Sequence, residues 1–424
     1  MKTILKRIIA DFHQTFLPPF RNRELEVPLN MEKIITIIGP RRAGKTYFLY
    51  QIMGELEKTG IARHRMLYLN FEDERIALEG NNDLIFDAYR ELYPDLHLAG
   101  VYLFFDEIQE LPDWEKFVRR VSDSISRHIF LTGSNARLLS REIATSLRGR
   151  SLTFEILPLS FSEYLSFRDI PAGDISGRNR AIISNAFEQY CLWGGFPEVV
   201  GIEERFKVQV LQEYFNVMLY RDLVERYEIR DVAILKYLLK RLIGSFTKEF
   251  SVNKLYNDLK SRGFSIGKDS LYRMTDEIFS VYMLASVERY DPAVIRREMS
   301  NRKVYLYDNG FAAAMHYSFS EDRGKRLENA VFRHLRAKTE EICFVRNGWE
   351  CDFAVFPHGS PPQLIQVTER LNRENSGREL KGLVSGRQFI GNAEGLLLID
   401  TAEQGLDIPP WIRLMAVREW LIEK

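Results

Sequence analysis

Cysteine is scarce: Cys191, Cys343 and Cys351 are the only three in 424 residues, an odd number with no Cys-x-x-Cys pair. That argues against a disulfide framework and a cysteine-based zinc site, and it suits a reducing compartment. No apolar run approaches the roughly 18 residues that a membrane-spanning helix needs. Neither charge is in excess, since Lys+Arg and Asp+Glu are both 59 and the formal net charge is +0. Without bulk basicity, a nucleic-acid surface has to be a local patch. Internal repeats and Ser/Gly/Pro-rich linkers are missing too, so changes of pattern must mark the domain borders. The opening MKTILKRIIADFHQTF carries charges among its apolar positions and reads as an amphipathic helix, not a signal peptide. With 45% hydrophobic and 28% charged residues, composition is that of an ordinary globular chain and excludes global disorder. The expectation is a cytoplasmic protein of about three domains, at roughly 150 residues each.

What is present is alternation. KIITII (33–38) is a short apolar run, followed by GPRRAGKT and then by YFLYQIMGELEK with helical spacing. Further strand candidates are 66–71, 101–105 and 128–134. Strands that are apolar on both faces and alternate with helices predict a parallel sheet covered by helices, ending near residue 165. Residues 178–243 turn helical, punctuated by Gly194, Gly195 and Pro197. Between 246 and 290, two helical patterns joined by a short Gly-containing turn and followed by a strand predict a winged helix-turn-helix. The last 120 residues return to α/β.

Gly39-Pro40-Arg41-Arg42-Ala43-Gly44-Lys45-Thr46 matches GxxxxGK[ST] between an apolar strand and a helix. Backbone amides of such a loop and the following helix N-terminus form an anion cradle. Gly44 lets the backbone pass close to phosphate oxygens. In this pattern Lys45 reaches the β- and γ-phosphates of ATP and the Thr46 hydroxyl ligates Mg²⁺, with Tyr47 next in line to touch the nucleotide. Asp106 and Glu107 close the strand VYLFF, where open α/β sheets place their ligands. Asp106 is positioned to hold Mg²⁺ and Glu107 to orient and deprotonate water, although such a pair also suits a helix N-cap beside a second charge. Ser134 and Asn135 follow the next strand and could hydrogen-bond the γ-phosphate or the water, or simply cap a helix. Arg148 and Arg150 carry guanidinium forks that suit a transferring phosphoryl group, or surface ion pairs.

IITIIGPRRAGKT, LFFDEIQELPDWE, IFLTGSNARLLSREIATSLRGR and FEILPLSFSEYL together resemble a family of archaeal and bacterial ATPases in the AAA+ superfamily. The resemblance continues through CLWGGFPEVV, LYRDLVERYEI and GKRLENAVFRHL, covering nearly the whole chain. It implies a nucleotide-driven motor or switch, with Lys45, Thr46, Asp106 and Glu107 at the Walker A and B positions. Ser134 and Asn135 then match sensor 1, Arg148 or Arg150 an arginine finger in a homo-oligomer, and Arg221 is a weak sensor-2 candidate. The implied order is an N-terminal helical lead (1–30), an AAA+ core (31–165), a helical lid (166–235), a winged helix (236–300) and a C-terminal α/β domain (301–424).

In that last domain a helical Glu328, a strand Asp352 and the pair Gln366 and Thr368 are similar to the PD-(D/E)XK restriction-endonuclease-like fold, whose last two positions are normally Glu and Lys. Mg²⁺ needs anionic oxygens and the scissile phosphate needs a cation. Thr368 offers no positive charge, so the expectation is a nuclease-like fold with its activity lost. In the winged segment, Lys268, Ser270 and Arg273 fall near the start of the second helix, where a recognition helix meets DNA. Asp258, Asp269, Asp276 and Glu277 leave that patch only mildly basic. Three readings stay open: an ATP-hydrolysing DNA-linked motor, a slow ATP/ADP switch acting on protein partners, and an ATP-gated nuclease.

Overall fold

Strand β1 (Ile34–Ile38, IITII) is buried along its whole length. Ile34 and Ile38 feed one apolar layer while Ile35 and Ile37 feed the other, the period of two that a strand imposes. Such a strand needs cover on both faces. Helices α1 (Lys2–Gln14), α3 (Leu84–Leu92) and α4 (Trp114–Ser124) supply the first face, through residues such as Leu5, Ile9, Ile85 and Val118. Helix α2 (Lys45–Lys58) covers the second with Phe48, Leu49, Ile52 and Met53.

This is a computed structural model, and it describes all residues except 79, 134–146, 148, 174–176, 316–322 and 424. It divides into two units, Met1–Leu157 and Pro158–Lys424. In the first, β1 joins β2 (Met66–Asn70), β3 (Tyr102–Asp106), β4 (Ile129–Gly133) and β5 (Ser151–Glu155) in a parallel sheet of order β2-β3-β4-β1-β5. Because β4 lies between β3 and β1, the loop after β1, the end of β3 and the end of β4 meet at one edge of the sheet.

The second unit opens with helices Phe161–Phe167, Gly177–Trp193, Pro197–Gly201 and Glu204–Val217, a π-helical stretch Met218–Glu225, and helix Val232–Gly244. Its first helix is fixed by a capping box, in which Ser160 and Glu163 satisfy each other's backbone N–H groups. An eight-stranded sheet follows, of order β13-β12-β11-β10-β9-β7-β8-β6. Its strands are β6 (Glu249–Phe250), β7 (Leu284–Arg289), β8 (Arg302–Leu306), β9 (Ile342–Arg346), β10 (Glu350–Val355), β11 (Gln363–Leu371), β12 (Glu394–Ala402) and β13 (Ile412–Ala416). Strand β8 pairs antiparallel with both β6 and β7, and β7 pairs parallel with β9. The sheet is therefore continuous across the border expected at 300/301.

Just past β8, Asp308 is fully buried and accepts the backbone N–H of Gly195 at 2.7 Å and of Gly310 at 2.8 Å. The carboxylate ties the WGGFP turn to the end of β8. Burial pushes its pKa up to about 6, against those two N–H donors and the nearby Arg333. The unfolded carboxyl titrates near 4, so the folded chain binds the extra proton between those values and stability falls as pH rises through the window. Asp308→Asn removes that titration. Its unfolding free energy, measured in urea, should gain about 1 kcal/mol on wild type between pH 5 and pH 7, whereas parallel pH profiles would remove Asp308 as the linked group.

Candidate nucleotide site

The loop between β1 and α2 can be built only with glycine at its first position. A Cβ on Gly39 would stand 2.0 Å from the Ile156 carbonyl oxygen. Gly44 caps α2 with φ 96°, a left-handed backbone that other residues adopt at a cost. Behind the loop, Arg23 donates to the carbonyls of Ala43 at 2.9 Å and Leu157 at 2.7 Å, and its own N–H bonds Gln51 at 2.7 Å. The loop is thus braced from outside. Lys45 is only 4% exposed; its ammonium donates to the carbonyls of Gly39 at 3.3 Å and Pro40 at 3.2 Å, and faces Glu107 at 3.6 Å.

Asp106 is fully buried and would be costly there without donors. Three hydroxyls supply them. Thr46 donates to Oδ2 at 2.8 Å, Tyr68 to the same oxygen at 2.9 Å, and Thr132 to Oδ1. Thr132 also accepts the N–H of Glu107 at 2.8 Å, so one β4 side chain aligns both acidic residues. Glu107 sits at φ 49°, and its carboxylate accepts Gln109 at 2.6 Å. Burial raises the Asp106 pKa, and the hydroxyls of Thr132, Thr46 and Tyr68 work against it while Glu107 adds to it. Burial and the adjacent Asp106 hold Tyr68 as an un-ionised phenol, a permanent donor. Tyr50 extends the chain, with its hydroxyl 3.4 Å from that of Tyr68.

An anion cradle at a helix N-terminus, a buried cation and a hydroxyl-ringed carboxylate at one sheet edge are the chemistry of nucleoside-triphosphate binding. Residues 31–165 match the family model described as an AAA domain, and 184–322 match a domain of unknown function. An uncharacterized protein of Methanocaldococcus jannaschii is 38% identical over 371 residues, 85% of this chain and 80% of that protein. This chain belongs to that protein's family, and its core is an AAA domain. An uncharacterized Haemophilus influenzae protein is 30% identical over 302 residues, 71% of this chain and 74% of its own length. A second M. jannaschii protein is 23% identical over 283 residues, 61% of this chain and 58% of its own.

Gly39, Pro40, Ala43, Gly44, Lys45, Thr46, Asp106 and Glu107 lie at one edge of the five-stranded sheet. Arg41 lies 3.4 Å from Glu72, and Arg42 takes a left-handed φ of 65°. Tyr47 is exposed, its ring edge-on to Tyr50. Arg150 pairs with Asp123 at 3.1 Å in a largely exposed contact worth little to stability. Ser134, Asn135 and Arg148 lie outside the described residues. Tyr68, Thr132 and Arg23 were missed. Thr132 had a legible signal, a polar residue two places before Ser134 at the end of an apolar strand; the other two had none.

In the second unit Arg221 is exposed on the π-helical stretch. Lys268, Ser270 and Arg273 are exposed on helix Lys268–Ser280, as are Asp269 and Asp276, and Arg273 lies 3.6 Å from Glu277. Glu328, on helix Arg323–Lys338, and Asp352, on β10, do come together, around a lysine that sequence reasoning overlooked. Lys303 on β8 is 2% exposed and lies 2.7 Å from Glu350, 3.3 Å from Glu328 and 3.4 Å from Asp352. The Asp352 backbone N–H donates to the Gln366 amide oxygen at 3.3 Å, while Thr368 is half-buried further along β11. A lone lysine in RKVYL, flanked by apolar residues, was the available clue.

Thr132→Val deletes one hydroxyl that favours ionised Asp106, so the Asp106 pKa must rise. The acidic limb of Mg²⁺-nucleotide binding should then move up by about 1 pH unit, the size of one hydrogen bond to a charged group. Binding measured from pH 5 to 8 checks this, and an unmoved limb would detach Thr132 from Asp106.

Proposed function

We propose that this AAA-domain protein hydrolyses ATP with Mg²⁺ and couples the cycle to DNA binding or remodelling as a homo-oligomer. The observation that carries the hydrolytic part is the Lys45–Glu107 contact beside the hydroxyl-held Asp106. Incoming phosphate oxygens compete with Glu107 for the Lys45 ammonium. Released from that pair, the Glu107 carboxylate is free to accept a proton from water, and Thr132 keeps its backbone in place. Gly39 and Gly44 keep the cradle open to the triphosphate, and Tyr47 lies exposed next to it for the base or sugar. Mg²⁺ would be held by the Thr46 hydroxyl and Asp106, hard oxygen donors that suit it, and would neutralise charge on the β- and γ-phosphates. Arg148 and Arg150 are the candidates for an arginine supplied to a neighbouring subunit, and Ser134 and Asn135 for polar contact with the γ-phosphate.

The DNA part is supported by the element order from Val232 to Leu306. Helix, strand, two helices, strand, the short helix Val294–Glu298 and a last strand, with β8 between β6 and β7, support the winged-helix reading. In that reading Lys268, Ser270 and Arg273, in the first turns of helix Lys268–Ser280, would face DNA. The exposed Asp269 and Asp276 on that same face favour a second reading, a slow nucleotide switch that grips a protein partner.

Glu107→Gln should bind ATP as wild type does and lose hydrolysis by a factor of about 10²–10⁴, the usual share of a general base. Undiminished phosphate release would remove Glu107 from that role. Turnover titrated against protein concentration separates the two readings. Cooperative, DNA-stimulated rates support the oligomeric motor, and a slow rate indifferent to both supports the switch.

A further inference from the structure

The carboxylate pocket around Lys303 contains its own cation. An ammonium has three N–H donors, and here three carboxylates, Glu350, Glu328 and Asp352, lie 2.7, 3.3 and 3.4 Å from it. Two of these carboxylates also accept a second donor. Tyr305 donates to the Glu328 oxygen at 2.7 Å, and the Val367 N–H donates to Asp352 Oδ2 at 2.9 Å. Gln366, whose amide oxygen could ligate a metal, turns that oxygen to the Asp352 N–H and donates its own NH₂ to Glu379 at 2.9 Å. Arg378 in turn pairs with Glu379 at 2.6 Å. The Phe344 ring closes the other side of the ammonium at 5.5 Å.

Burial alone lowers the Lys303 pKa, but Tyr305 and the three carboxylates reverse that and hold it protonated. Burial and Glu328 push the Asp352 pKa up to about 7, against the Lys303 ammonium and the Val367 N–H. Among the described residues, no group of three or more His, Cys, Asp or Glu side chains is disposed to hold a metal ion. Mg²⁺ requires oxygens at about 2.0–2.1 Å in octahedral array, and gives up its water reluctantly. A tethered ammonium, which keeps the pocket's oxygens 2.7 Å or more from its centre, competes with it at high effective concentration.

We infer that the Lys303 ammonium is the resident cation of this pocket and that a divalent cation binds there only when that ammonium is removed. The C-terminal α/β segment then works without metal, as a binding or scaffolding module, and an ATP-gated metal nuclease does not fit. Nothing in this rests on the ATPase reading.

Mn²⁺ binding to the full chain without nucleotide, followed by electron paramagnetic resonance, tests it. Wild type and Asp352→Asn should titrate identically, because no Mn²⁺ uses Asp352 in the native pocket. Lys303→Met should gain one Mn²⁺ per chain at least tenfold tighter than any site in wild type, and Lys303→Met with Asp352→Asn should lose it. Recovery of a poorly folding Lys303→Met chain by Mn²⁺ would support the same site. Loss of a Mn²⁺ from wild type on Asp352→Asn overturns the inference, whether or not the lysine variant folds, and so does a folded Lys303→Met chain that gains no Mn²⁺ over wild type.

Discussion

A carboxylate buried at the end of a central strand has to be surrounded by donors, and Asp106 is surrounded by hydroxyls from three separate segments. Thr46 comes from the first turn of α2, Tyr68 from β2 and Thr132 from β4. Each is where it is because β4 inserts between β1 and β3 while β2 lies on the far side of β3. The same order puts the phosphate-loop lysine opposite Glu107. Hydroxyls satisfy the carboxylate without neutralising it, as lysine or arginine would.

The second unit answers the same problem differently. Asp308 is satisfied by two backbone N–H groups and becomes a structural clasp with a raised pKa. Glu328, Glu350 and Asp352 are satisfied by a buried ammonium, which cancels much of their charge in place. Hydroxyls leave a carboxylate its charge, whereas an ammonium pairs with it. Removing one partner from such a buried cluster leaves an uncompensated charge, so these groups are held as sets.

Local signals were legible. KIITII followed by GPRRAGKT prescribes a buried strand, a tight anion loop and a helix within a stretch of under thirty residues, and Asp106-Glu107 after VYLFF carries its own strand-end signature. Tyr68 carries no local signal; Thr132 and Lys303 stand out as polar residues in apolar strands, but their partners are set by strand order, and nothing local in IFLTG or RKVYL names the neighbour. The same reason hid the pairing of β7 with β9, which joins segments read as separate domains into one sheet. Arg150 shows the converse: its motif was visible, but its nearest partner within the chain, Asp123, was not.

In the proposed ATPase, Asp106, held by its hydroxyls, is the group on which Mg²⁺ dependence rests. Phosphate release from saturating ATP, by wild type and Asp106→Asn across a Mg²⁺ titration, tests it most directly. Turnover should require Mg²⁺ in wild type and be lost in the variant while its unfolding transition is retained. Equal turnover by both proteins, or turnover that ignores Mg²⁺, would contradict it.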